Sequence, residues 1–122
     1  MLKKYSFSKA LRLRKPFEFD HVFSEKKRLV SKYFIVYYQG NNQIKPRLGI
    51  IISKRTARSA VDRNKIKRLV REVFRKTQCN IGGYDVIIIA QKQVLNALNE
   101  DIRVCLNELF QCLPNYSSKL CC

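Results

Sequence analysis

The chain has 122 residues, enough for one domain with a modest core, and its 46% apolar and 11% aromatic content excludes a disordered basic tail. Twenty-five Lys and Arg against nine acids give a formal net charge of +16, the electrostatic footprint of a nucleic-acid binder. No apolar run approaches the length that spans a bilayer, and MLKKYSFSKALRLRKPF lacks the apolar stretch of a secretory signal, so the cytoplasm is the expected location.

Residues 1–15 read as a basic, extended or irregular N-terminal segment. Pro16 stands where a first helical residue often stands, and Phe19, Val22 and Phe23 follow at helical spacing, predicting a short helix to about Ser24. Leu29 to Gln39 is β-branched and aromatic, a strand by composition, with room for a further short strand near Leu29. A turn over 40–43 leads to a second strand, Arg47 to Ser53, too apolar to have a fully solvated face. A helix is expected from about Ser59 to Thr77, then a turn at Gly82-Gly83 and a buried strand from Tyr84 to Ala90. The last element is an amphipathic helix over about Asn96 to Leu113, with Leu98, Ile102, Cys105, Leu106, Leu109 and Leu113 on one stripe and Pro114 barring its continuation. The order α-β-β-α-β-α, or α-β-β-β-α-β-α with the extra strand, predicts an α+β fold: a small two-layer sandwich with helices on a mixed sheet. The single domain is expected over 16–114, with a tail at 115–122.

Charge is distributed unevenly along these elements. Residues 1–32 carry +7, 33–53 carry +2, 54–76 carry +8 and 77–122 carry −1. Polarisation of this kind implies a binding side and a solvent side. In the helix after Ser59, Ile66, Leu69, Val70, Val73 and Phe74 form an apolar stripe, while Asn64, Lys67, Arg68, Arg71 and Arg75 share another side. Like charges at i, i+4, such as Lys67/Arg71 and Arg71/Arg75, each cost a few tenths of a kcal/mol. An ordinary solvated face mixes Glu with Lys, whereas Glu72 is the only acid here after Asp62. The cost makes sense if a polyanion sits against that side, Arg gripping phosphates through its planar fork and Lys as a point charge.

In the aromatic strand, alternation sends Tyr33, Ile35 and Tyr37 to one face and Phe34, Val36 and Tyr38 to the other. One face is core. The other could be core as well, or a platform on which single-stranded bases stack. The carboxylates are scattered along the chain, and His21 is the only histidine, so no catalytic or metal-holding cluster is expected in the protein itself. The five cysteines show no metal-ligand spacing, and a zinc site or disulfide framework is not expected. Cys105 reads as packing and Cys121-Cys122 as an inert tail.

The run Ser53-Lys54-Arg55 followed, after a short loop, by Ala60 to Arg75 (AVDRNKIKRLVREVFR) closely resembles the signature of the protein subunit of bacterial ribonuclease P. That pattern is an Arg-Asn-Arg box, then Ile-Lys-Arg, two residues and Arg. The resemblance extends to RLRKPFEFDHVF (Arg12 to Phe23), the aromatic strand, YDVIIIA and the closing helix; Lys65 departs from it where the family has Arg, keeping charge but losing bidentate geometry. It implies a subunit that joins a catalytic RNA and removes the 5′ leader from precursor tRNA, with chemistry left to the RNA and its Mg²⁺, and without an obligate protein partner or a membrane. It also implies that Arg63, Asn64, Lys65, Lys67, Arg68, Arg71 and Arg75, with Lys54 and Arg55, face the catalytic RNA. A cleft holding Phe19, Phe23, Ile35 and Tyr37 would take the leader, and the β-α-β crossover would be left-handed. The alternative reading is a ribosomal-protein-like RNA-binding module with no processing role. A stand-alone carboxylate nuclease and a helix-turn-helix DNA reader fit less well, since no acidic cluster is evident and a strand and loop precede the basic helix.

Overall fold

A computed structural model of the chain describes residues 12–13, 15–43 and 45–114. The expectations for most of the N-terminal segment and for the 115–122 tail, with its Cys121-Cys122 pair, lie outside these residues. Four strands, β1 (Arg28–Val30), β2 (Phe34–Gly40), β3 (Arg47–Ile51) and β4 (Tyr84–Ala90), form one mixed sheet in the order β1-β2-β4-β3. β4 pairs antiparallel with β2 and parallel with β3. Its apolar run suits a strand covered on both faces, and Val86, Ile87 and Ile88 are all fully buried.

Two long helices cover one face: α2 (Ala60–Ile81), which links β3 to its parallel neighbour β4, and α3 (Asn99–Gln111). Phe34 and Val36 of β2, Leu48 of β3, and Val86 and Ile88 of β4 meet Ile66, Val70 and Phe74 of α2 and Leu106 and Phe110 of α3 in the main core. Phe74 and Phe110 pack edge to face with centroids 6.1 Å apart. Glu72 accepts a 2.7 Å hydrogen bond from Arg103, tying α2 to α3. That bond holds the Glu72 carboxyl below the usual carboxylate range.

The first helix, α1 (Pro16–Ser24), lies on the opposite face, where Val22, Leu13 and Ile87 make a smaller core. Helices thus occupy both sides of the sheet, two on one and a single short one on the other. Glu18 satisfies the start of α1 by accepting from Lys15 N–H at 3.0 Å. Its other oxygen accepts from Arg47 Nη1 at 2.6 Å. Arg47 also grips the buried Asp85 in bidentate fashion at 2.9 and 2.7 Å, and Asn41 Nδ2 donates to Asp85 at 3.0 Å. Two carboxylates that are far apart in sequence therefore converge on one guanidinium, whose pKa is raised further above its ordinary value by the Asp85 hydrogen bond. Ahead of α1, Leu13 N–H donates to Leu48 O at 2.8 Å, so the incoming chain runs along part of the outer edge of β3.

Several boundaries differ from the sequence reading. The strand expected over 29–39, with room for a further short one near Leu29, is a hairpin of β1 and β2, because Ser31 closes a tight bend: its N–H donates to Phe34 O, and its hydroxyl lies 3.0 Å from the same carbonyl. Tyr33 sits in that bend and packs with the main core, so it does not share a face with Ile35 and Tyr37. The helix begins as expected, Ser59 Oγ accepting from Val61 N–H at 3.1 Å, but continues past Thr77 to Ile81. Thr77 is tolerated there because its hydroxyl bonds back to Val73 O at 2.9 Å; Ile81 is fully buried, and Gly82 ends the helix with φ at 79°. The last helix starts at Asn99, after a 3-10 turn at Lys92–Asn96, because Leu98 is extended. Leu98 is consequently exposed and leaves the apolar stripe. Cys105 is half-buried as packing, with its sulfur 3.2 Å from Ser31 Oγ; Cys79 is disulfide-bonded, which cysteine spacing did not signal.

Leu69→Ala should destabilise the domain by about 2–5 kcal/mol in chemical denaturation, with or without RNA, since Leu69 is buried in the main core. Glu72→Gln should lower the melting temperature near neutral pH. The lowered carboxyl pKa makes this contribution present above the unfolded value, about 4.3, and lost as pH falls through the folded value. Melts of parent and variant should therefore converge only once the pH has fallen below the folded carboxyl's own pKa, which lies under the unfolded value.

Candidate nucleic-acid interface

Burial of one side of α2 fixes what its other side presents. Asn64, Arg68 and Arg71 are exposed, Lys67 and Arg75 are half-buried, and all five follow one stripe along the helix. Arg63 and Lys65 flank that stripe at about 100° on either side. Arg63 is partly committed to structure, its Nη1 donating to Ala57 O at 2.8 Å and Arg58 O at 2.9 Å. It thereby shapes the loop that presents Lys54 and Arg55, both exposed in a turn closed by Thr56 and Ala57 N–H donating to Ser53 O. Lys65 turns the other way, lining a small hollow with Asp62, Val94 and Leu95. Lys67 and Arg71 instead line a groove with Arg12, Leu13, Phe19 and Gly49 at the β3 edge. The nine basic-helix and loop residues therefore do not form one cluster: most share a stripe and turn, while Lys65 looks toward the 3-10 turn.

The α1 side of the sheet is organised in cross-strand rows set by the register. Arg28, Tyr37, Ile87 and Gly49 make one row, and Val30, Ile35, Ile89 and Ile51 make the next. Phe23 stands edge-on to Tyr37 with centroids 4.9 Å apart, and Phe19, Phe23, Tyr37, Ile51 and Ile89 pack around the smaller core while staying half-exposed. Ile35 is half-exposed and Val30 is 61% exposed. All four residues expected to take the leader thus lie on one side of the sheet, with Phe19 and Phe23 on α1 and Ile35 and Tyr37 on β2.

Sequence reasoning missed the cations beside this cleft. Lys26 and Arg28 line an open cavity of about 480 Å³ with Phe23 and Tyr37. Arg28 Nη1 donates to the Tyr37 hydroxyl at 3.3 Å. The available signal was the basic run Lys26-Lys27-Arg28 directly after α1. Val30, Ile51 and Ile89 extend the apolar floor and were also missed, because only the register of β1, β3 and β4 against β2 places them beside Ile35.

Among the described residues, no group of three or more His, Cys, Asp or Glu is placed to hold a metal ion. Glu18 and Asp85 do meet, yet their oxygens are engaged by Arg47, Asn41 and a backbone N–H. No described helix is long and apolar enough to cross a membrane. Chemically the surface offers grip: planar and point cations for phosphates, and rings and aliphatic side chains for bases.

The family model for ribonuclease P matches residues 7–114. The ribonuclease P protein component of Coxiella burnetii is 33% identical over 113 residues, covering 93% of each chain. That of Nitrosococcus oceani is 39% identical over 105 residues, covering 86% of this chain and 88% of the relative. Among solved structures, the Staphylococcus aureus RNase P protein superposes with a TM-score of 0.82 at 30% identity, over 89% of this chain and all of that one. The Thermotoga maritima RNase P protein gives 0.73 at 34% identity, over 82% and 96%. Sequence pattern, sheet topology and these likenesses agree, and the chain belongs to the ribonuclease P protein family.

Proposed function

We propose that this chain is the RNA-binding protein component of a ribonucleoprotein ribonuclease P, which removes the 5′ leader of precursor tRNA in the cytoplasm. In this reading the cationic stripe of α2 seats the catalytic RNA, and the cleft beside α1 takes the single-stranded leader. The observation that carries it is the juxtaposition of two unlike surfaces. Lys67 and Arg71 border the same groove as Phe19, so a phosphate-gripping ridge adjoins an aromatic-lined cleft. A general cationic surface needs only the ridge; leader recognition needs the cleft as well. Exposed rings and aliphatic rows accept bases of any sequence, which suits leaders of varied sequence.

The contribution to the reaction is placement and charge screening. Two polyanionic RNAs repel one another, and a +16 protein between them lowers that cost. Holding the leader on one side and the catalytic RNA on the other makes their encounter effectively intramolecular. In this reading Mg²⁺ would supply the hydrolytic chemistry and be held mainly by the RNA; among the described residues no group of three or more His, Cys, Asp or Glu is placed to hold it.

If about six phosphates are neutralised on assembly, log K for the catalytic RNA should fall with log[salt] at a slope of roughly −4 to −5. Arg68→Ala or Arg71→Ala should weaken assembly and flatten that slope while leaving the melting temperature unchanged. A slope near −1 for the parent would contradict the reading. Tyr37→Ala or Phe23→Ala should weaken holoenzyme affinity for precursor tRNA more than for mature tRNA; precursor affinity falling toward the parent's affinity for mature tRNA would mark the cleft as the leader site. Loss of neither would remove the leader from it.

A further inference from the structure

We infer that Gly49 is a positioning residue for leader recognition: bare backbone at this point of β3 determines where the Phe19 ring stands in the cleft. The inference deepens the leader-cleft reading above and rests on it. Along β3, Arg47, Gly49 and Ile51 point to the α1 side, and the middle one has no side chain. A Cβ built on Gly49 would lie 2.6 Å from Phe19 Cε2 and 2.7 Å from Phe19 Cζ, closer than any real Cβ contact. The far edge of the ring therefore rests on strand backbone. Conformation does not demand glycine here, since Gly82 is the only described glycine with positive φ. Space demands it.

The neighbouring contact decides what would yield if that space were filled. Glu18, one residue before Phe19, is held by Arg47 at 2.6 Å, and Arg47 is itself fixed to the buried Asp85 by two hydrogen bonds. α1 cannot lift from the sheet at this point without separating charged partners that sit largely out of water. The clash would fall on the Phe19 side chain, turning the ring away from the place where it borders Lys67 and Arg71. Helix, anchor and bare strand together act as a jig for one aromatic ring. A purely packing role for Gly49 would show itself as lost stability, with precursor and mature tRNA affected alike.

The test uses the reconstituted holoenzyme and the ratio of its affinities for precursor and mature tRNA. Gly49→Ala should lower that ratio by about tenfold, the scale of one base–aromatic stack, with affinity for the catalytic RNA unchanged. In a Phe19→Ala background, adding Gly49→Ala should lower the ratio no further, because the ring it displaces is gone. A parental ratio in Gly49→Ala, alongside a lowered ratio in Phe19→Ala, would overturn this inference and leave the leader cleft standing. A parental ratio in Phe19→Ala would remove the leader contact itself. Should Gly49→Ala not fold, Glu18→Gln serves in its place: it keeps an acceptor for the start of α1 while losing the charge that faces Arg47. That variant should lower the ratio in the same direction, and an unchanged ratio would overturn the anchoring of the ring.

Discussion

Burial of the apolar side of α2 is the constraint on which the rest of this molecule depends. Residues 54–76 hold ten cationic and two acidic side chains, and adjacent turns repel. Such a helix persists because Ile66, Leu69, Val70, Val73, Phe74 and Ile81 are buried against the sheet and α3. Each buried aliphatic or aromatic side chain contributes about 1.5–3 kcal/mol, against a few tenths for each like-charge pair. Packing wins by a wide margin, and the surplus lets one side carry like charges on successive turns. Of the two acids, Glu72 is taken up by Arg103 of α3.

The opposite side of the sheet follows a different logic. Among the described residues a single nine-residue helix lies on this side, too short to cover four strands, and Ile35, Ile51 and Ile89 stay half-exposed. The Arg47 hub and the Phe19–Gly49 contact hold the N-terminal half of α1 down, while Phe23 meets Tyr37 near its end. The open remainder is apolar and half-exposed, rimmed by Lys26 and Arg28. In a domain that completed its second layer, Ile35, Ile51 and Ile89 would be core.

Much of this was legible in the sequence, for identifiable reasons. Helical periodicity located α2 because its apolar stripe is continuous, and the Ser59 cap fixed its start. Its end was missed because Thr77, Gln78 and Cys79 do not advertise a helix, while burial of Ile81 sustains one. A short strand near Leu29 was allowed for, but where β1 parts from β2 depended on the Ser31 bend, a hydrogen-bonding detail that composition does not encode. The four cleft residues were placed on one face by alternation and by family resemblance together; alternation alone misassigned Tyr33. Lys26, Arg28, Val30, Ile51 and Ile89 escaped because they reach the cleft through strand register. The convergence of Glu18 and Asp85 on Arg47 is likewise a matter of three-dimensional neighbourhood.

Cations collect on α2 and its preceding loop, whereas Glu100, Asp101 and Glu108 stand exposed on α3. The centres of positive and negative charge therefore do not coincide, and the molecule carries a permanent electric moment. In the field of the RNA proposed as its partner such a body would experience torque before any contact is made, drawing the α2 ridge toward the polymer. Fewer collisions would be wasted on wrong orientations, and capture would slow as mobile ions shorten the reach of the field.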